Sequence, residues 1–361
     1  MLYRLTVAVL IAVCVGPATH AAVTRVWEFG LLSAPVVTPL PIRVQVLTPG
    51  GDIRVFDKTG RPSENLSMYS SDGVHQEVAA AGVERSGRLL NQCHFTGEGS
   101  LVLVEPTRCG RPMYIQAFDA DRQAFVGSQT ALGRIFRFVV GPRDIAVLTD
   151  GGLQQDGRSS YEQLRIEVIS RDGDGCKVSR RWETSSYTAP IAIDNNAAGD
   201  VAALVGKREG DATRCRLVVA RTDGAVLERD IENVGTSSLT VAISRLGTWV
   251  AVSRNTRVAV YGISGSIETG PRFTVGGCVP GGLVWRLSVS DDASIAAAVQ
   301  GKGEEVIVCA RPEGPCEVAA TYSRDDNVYA IDIRFFNDNQ FYVVMTSRDP
   351  AKSIFKILRY D

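Results

Sequence analysis

Four arginines, Arg43, Arg137, Arg286 and Arg334, recur shortly before a repeated turn, and Asp332 stands near the last of them. A guanidinium presents a planar fork of donors that matches the oxygens of a carboxylate or phosphate. Several such groups arriving from different strands can therefore hold an anion. These four are the candidate ligand-binding residues. Their distances from the turn run from two to four residues, which on strict strand alternation does not send them all the same way.

Chemistry based on histidine has little to draw on. Of three histidines, His20 falls in the leader described below, which leaves His75 and His94. His94 adjoins Cys93 close to a turn and reads as a strand residue. His75 follows Ser71-Asp72-Gly73-Val74 and reads as a solvated loop residue. No Gly-x-Ser-x-Gly elbow supplies a nucleophile, so neither a Ser-His-Asp triad nor a His-ligated metal is expected, and no cofactor is implied. Carboxylate chemistry survives this shortage, because glycoside cleavage needs only two acids across a bond. With 40 acidic residues, though, pairs arise by chance. Asp172-Gly173-Asp174-Gly175 resembles the start of a calcium loop without its full pattern, and it reads as a hairpin turn.

Cysteine usage follows from compartment. Arg4, an apolar run over residues 5–15, Pro17 and small residues at 19–22 form a signal-peptide layout, so residues 1–22 are expected to be removed and 23–361 exported. The apolar run is too short to span a bilayer, and nothing later is long or apolar enough to do so. The residues before Cys14 do not form a lipobox. Seven cysteines remain, and an exported chain oxidises most of them. Cys309 and Cys316 flank Pro312-Glu313-Gly314-Pro315 as opposed residues of a hairpin would, and are the predicted disulfide. Proximity then favours Cys93 with Cys109 and Cys176 with Cys215, leaving Cys278 over. CxxC spacing is absent, which argues against a zinc or thioredoxin-type site. With 39 basic against 40 acidic residues and a net charge of −1, bulk electrostatics give no case for nucleic acid.

The elements that must position these groups are strands. Segments such as Arg216-Leu217-Val218-Val219-Ala220 and Glu305-Val306-Ile307-Val308-Cys309 are short, β-branched and bounded by turn residues. The best helical candidate is Ala-rich 75–83, and alternation over 161–169 favours a strand. One unit repeats: apolar, hydroxyl, turn residues, Gly, then an apolar strand. Ile243-Ser244-Arg245-Leu246-Gly247-Thr248-Trp249-Val250 is a clear copy, and Val289-Ser290-Asp291-Asp292-Ala293-Ser294-Ile295 has Ala in place of Gly. Anchoring apolar residues fall at 47, 95, 140, 193, 243, 289 and 336, with gaps of 48, 45, 53, 50, 46 and 47 residues. A period of about 48 residues belongs to β-propeller blades, each a four-stranded antiparallel sheet. The hydroxyl can bond the turn backbone and Gly can take positive φ there. Residues 353–359 end the chain on a third strand with no fourth after it. The strand at 23–29 is expected to complete that last blade.

The segment Ser244-Arg245-Leu246-Gly247-Thr248-Trp249-Val250-Ala251-Val252 and its copies resemble the turn-and-strand unit of WD40-like and YVTN-type propellers. The Trp-Asp and Gly-His signatures of WD40 blades are missing. Residues 244–249 also resemble the Asp box of sialidase propellers, but Leu246 replaces its carboxylate. The resemblance therefore implies a fold and no activity. The expectation is an all-β, single-domain propeller over 23–361, with seven four-stranded blades closed by the N-terminal strand. It would be secreted or periplasmic and act as a non-catalytic binding or scaffold protein. A protein partner or an anionic small ligand would bind it, with 61–84 and 153–162 as recognition loops. The competing class is an enzyme on the same scaffold, either a carboxylate-dependent glycosidase or lyase, or a cofactor-binding oxidoreductase.

Overall fold

The computed structural model describes strands from Arg25 to Tyr360, with side chains for most residues between 135 and 345. Residues 1–24 and several connections, among them 33–42, 80–99, 105–113, 150–163 and 232–238, lie outside the described residues. Short β-branched segments separated by Gly, Asn and Asp turns cannot build long helices, and they form antiparallel sheets instead.

Strand β1 (Arg25–Leu32) comes first in the chain. β2 (Arg43–Val46), β3 (Ile53–Asp57), β4 (Asn65–Tyr69) and β5 (His75–Ala79) make a four-stranded sheet. β6 (Ser100–Val104), β7 (Tyr114–Asp119) and β8 (Ala124–Ala131) make a sheet with three described strands. Next come β9 (Ile135–Val140), β10 (Asp144–Thr149), β11 (Leu164–Asp172) and β12 (Gly175–Thr184). The following sheet holds β13 (Ala189–Asn195), β14 (Val201–Glu209), β15 (Ala212–Ala220) and β16 (Val226–Ile231). After it stand β17 (Val241–Ile243), β18 (Trp249–Arg254), β19 (Arg257–Gly262) and β20 (Phe273–Gly276). β21 (Leu283–Val289), β22 (Ile295–Gln300), β23 (Glu304–Ala310) and β24 (Cys316–Ser323) form another. β25 (Val328–Phe335), β26 (Phe341–Ser347) and β27 (Ile354–Tyr360) form the last, and β1 is its fourth strand, pairing Phe29 with Ile357.

The first strands of successive sheets, β9, β13, β17, β21 and β25, lie side by side in that order and form an inner arc. The core sits between sheets. Ala202, Leu204 and Leu217 of one sheet pack on Val250, Val252 and Tyr261 of the next, and Ala296, Ile307 and Cys309 pack on Phe341, Val343 and Met345. The repeated turns work as their residue types require. Ser244 Oγ accepts from the backbone N–H groups of Thr248 and Trp249, both at 3.1 Å. Gly247 has φ +70°, and a Cβ there would stand 2.5 Å from Asp200 Oδ2 of the preceding sheet, so a larger residue would be strained and would displace Asp200.

Several expectations are corrected. The Ala-rich stretch from His75 begins as strand β5, held by pairs such as Leu66 with Val78, so sheet pairing overrides helix propensity. The stretch 61–84 is thus not all loop, since it contains β4 and β5. Cys309 is a free, buried thiol and does not pair with Cys316. Ala310 is the residue opposite Cys316, which puts Cys309 opposite Glu317 and on the other face of the sheet. Cys316 packs against the core cluster that holds Val289 and Val308, and it is disulfide-bonded. Cys176 and Cys215 are not disulfide-bonded to each other, so that pairing also fails. Asp172 and Gly175 close the β11–β12 hairpin as read, with Gly173 at φ +55°. The leader, His94, Cys93, Cys109, Cys278 and 153–162 lie outside the described residues.

Candidate functional site

Register decides which arginines converge. Each inner strand ends in a pair that closes the turn to the next strand: Val46 with Ile53, Val140 with Ile145, Val289 with Ile295, and Phe335 with Phe341. Arg43, Arg137, Arg286 and Asp332 each stand three residues before that closing residue, at one shared position of four sheets. Arg334 stands two residues closer to the turn than Asp332, and side chains two apart share a face. The mixed offsets arise because the first and last anchors, 47 and 336, each fall one residue beyond the closing residue of their strand. Phe336 belongs to the turn, where its N–H donates to Gln340 O. The side chain of Arg43 lies outside the described residues.

A recurring irregularity aims this position. Just before Arg137, Arg286 and Asp332 the register shifts, and the same shift occurs before Ala192 in β13. An extra residue in one strand bends it and re-aims its neighbours. The bulge residues Phe136, Ile191 and Trp285 turn into the core between sheets. Trp285 donates its indole N–H to Glu305 Oε1 at 3.0 Å, and the same oxygen accepts from Ala330 N of the next sheet at 3.1 Å.

The arginines meet different fates. Arg334 reaches from β25 to Asp194 on β13, 2.5 Å from Nη1 to Oδ1, passing the two inner strands between them in the arc. Its Nε is 3.7 Å from Asp332. Asp194 is buried and also accepts from Ile243 N at 3.0 Å. Asp194 and Arg334 hold the same position of their strands, one residue before the closing pair. Ser288 shares it and likewise accepts from the next inner strand, at Phe335 N. Arg286 lies over the Trp285 ring, 4.7 Å from its centroid, and donates to Trp285 O. Arg137 is exposed and donates to Ile191 O at 3.3 Å and Phe136 O at 3.1 Å.

Electrostatics follow from depth. Burial raises the Asp194 carboxyl above the usual carboxylate range, opposed by Arg334 and the N–H of Ile243. Asp332 has 28% of its side chain accessible, yet lies deep among protein atoms. Burial raises it too, against Arg334 and Arg286. For Arg334 burial disfavours the charged form, and Asp194 and Asp332 more than offset it, so its pKa rises. Arg334 is therefore a clasp between two acids more than an open anion seat. Asp194 was not singled out in the sequence, although its position is the one before the turn pair and identifies it. Among the described residues no group of three His, Cys, Asp or Glu could hold a metal, and no helix is long and apolar enough to cross a membrane.

No protein-family model matches the chain, and no curated protein matches it. Solved structures do. The chain is similar to prolyl oligopeptidase B from Galerina marginata, with a TM-score of 0.57 at 12% identity, over 85% of this chain and 47% of that one. It is also similar to virginiamycin B lyase from Staphylococcus aureus, with a TM-score of 0.50 at 12% identity, over 93% and 99% of the two chains. The repeated four-stranded antiparallel sheets and these likenesses make the fold a β-propeller. Identity this low speaks for the fold and for no activity.

Proposed function

We propose that the chain is an exported, non-catalytic binding or scaffold protein, built as a seven-bladed propeller whose last blade is closed by β1. The seven sheets among the described residues, with β1 beside β27 as the fourth strand of the last, support that blade count and closure. Closure by the first strand pairs an edge that would otherwise template aggregation.

The observation that carries the binding reading is the contrast between Arg137 and Arg334. Arg334 is engaged by two carboxylates, whereas exposed Arg137 is fixed by two main-chain carbonyls, which orient its charge without neutralising it. A guanidinium held this way is preorganised for an acidic group on a partner protein. A glycosidase or lyase would need two acids that reach a substrate. Asp194 and Asp332 instead face Arg334, and Asp194 is buried. The test is affinity recovery from the native compartment with the wild type and Arg137→Glu. The expected result is one stoichiometric partner recovered by the wild type and lost by the variant. Recovery of none, together with turnover in a glycoside or lyase screen, would overturn the reading.

A further inference from the structure

The β18–β19 hairpin ends in Arg254-Asn255-Thr256-Arg257, and Arg254 and Arg257 are its last directly opposed pair. Like charges directly opposite each other repel and weaken a sheet. Both side chains are exposed, and among the described residues no carboxylate is ion-paired with either. The turn adds a second cost, because Asn255 sits at φ +52°, a region that Asn tolerates better than most residues. The tip is nonetheless seated. Asn255 O accepts from Val284 N at 2.7 Å, which fixes the hairpin against the start of β21, two residues before Arg286. Burial raises the Cys215 thiol of β15, in the preceding sheet, and the Arg254 charge opposes that rise.

The opposite face of the sheets behaves differently. There Arg245 pairs with Asp291 at 3.0 Å and Arg221 with Asp200 at 3.9 Å. At the end where the inner strands begin, Arg137 and the Arg254–Arg257 pair are exposed, with no carboxylate ion-paired to them among the described residues. We propose that the Arg254–Arg257 hairpin tip, with Arg137 at the same end, is the docking surface for an acidic segment of a partner protein. The proposal rests on the binding-protein reading above and deepens it by naming the face and the partner's chemistry. A polyanion such as nucleic acid, or an anionic bilayer, is drawn by an excess of basic charge, and this chain carries 39 basic against 40 acidic residues. A few fixed guanidinium forks suit carboxylates presented singly along a peptide.

The experiment uses the full chain and a fluorescein-labelled oligoglutamate peptide at low salt, read by anisotropy. The wild type is expected to bind it, and Arg254→Glu with Arg257→Glu to weaken binding by about tenfold or more. Equal binding by both proteins would overturn the proposal. So would tighter binding of phosphatidylserine vesicles or duplex DNA than of the peptide. Arg257→Glu alone turns the repulsive pair into an attractive one, so its melting temperature should hold or rise while peptide binding falls. That result separates lost docking from lost folding, and Arg254→Gln with Arg257→Gln provides the neutral check. If the native partner is lost by Arg137→Glu and retained by the double reversal, the tip is overturned and the binding-protein reading stands.

Discussion

Two carboxylates in this molecule face guanidinium groups at almost the same distance and titrate in opposite directions. Asp230, on outer strand β16, accepts from Arg214 at 2.5 Å, Arg216 at 2.7 Å and the Tyr187 hydroxyl at 2.9 Å. Its pKa is lowered to about 2, first by the Arg216 hydrogen bond, with burial opposing. Asp194, on inner strand β13, has Arg334 at 2.5 Å, and burial raises it. The Asp230 side chain is 33% accessible and that of Asp194 only 4%. Distance to a cation thus does not set the sign. The sign depends on how much water the carboxylate gives up, weighed against how many donors replace it.

The sharpest way to break the comparison is to remove the inner cation. Arg334→Ala leaves Asp194 and Asp332 facing each other's charge at depth. The expected loss at neutral pH is about 3 kcal/mol, at the low end for a broken buried pair because part of Arg334 reaches solvent. Chemical denaturation measures it, and the loss should shrink on acidification as the two acids neutralise. A neutral result at pH 7 would mean that the inner clasp contributes nothing.

At the outer strand the effect is smaller and its pH dependence reversed. Because the Asp230 pKa is lowered in the fold, its contribution is present above the ordinary carboxylate value and is lost as pH falls through about 2. Asp230→Asn is therefore expected to cost about 1 kcal/mol at pH 7, after discounting for solvent screening, with the gap to wild type closing in acid. For Asp332 the pKa is raised, so its contribution is present below the ordinary carboxylate value and is lost as pH rises through the folded one. Against Asp332→Asn, the wild type should therefore gain stability on acidification, by less than about 1 kcal/mol. Two denaturation-midpoint difference curves sloping the same way would end the comparison.

The contrast also explains what could be read beforehand. Strand periodicity, the Ser244–Gly247 turn and the spare N-terminal strand are local or periodic features, so the propeller-type architecture was legible. The arginines at the shared inner position were legible too, because a repeat transfers one position to every sheet. What failed depends on register to a single residue. Cys309 and Cys316 look opposed until Ala310 takes the place across from Cys316, and one step moves a side chain to the other face. Asp194 as the far partner of Arg334 was not legible, since nothing local reports a contact that passes two intervening strands. The Asp230 cluster was equally hidden. Arg214 and Arg216 sit on β15 and Asp230 on β16, but Tyr187 arrives from the connection after β12.

Tyr187 gives the finest test of the outer cluster. Its ring lies under Arg216, 4.5 Å from the guanidinium carbon to the centroid, while its hydroxyl donates to Asp230. Burial and the Asp230 hydrogen bond both raise the phenol pKa, so the proton stays on Tyr187 and donation continues well into the alkaline range. Tyr187→Phe keeps the ring beneath Arg216 and deletes only that donor. Asp230 then retains both arginines, so the expected cost is about half a kcal/mol. The pKa of Asp230, followed by carboxyl NMR titration, should move up from about 2 yet stay below the ordinary carboxylate value, because Arg216 is the larger influence. If it rose past that value, the hydroxyl and not the guanidinium would be what holds the outer acid down. The difference from Asp194 would then come from one neutral donor, with burial playing the lesser part.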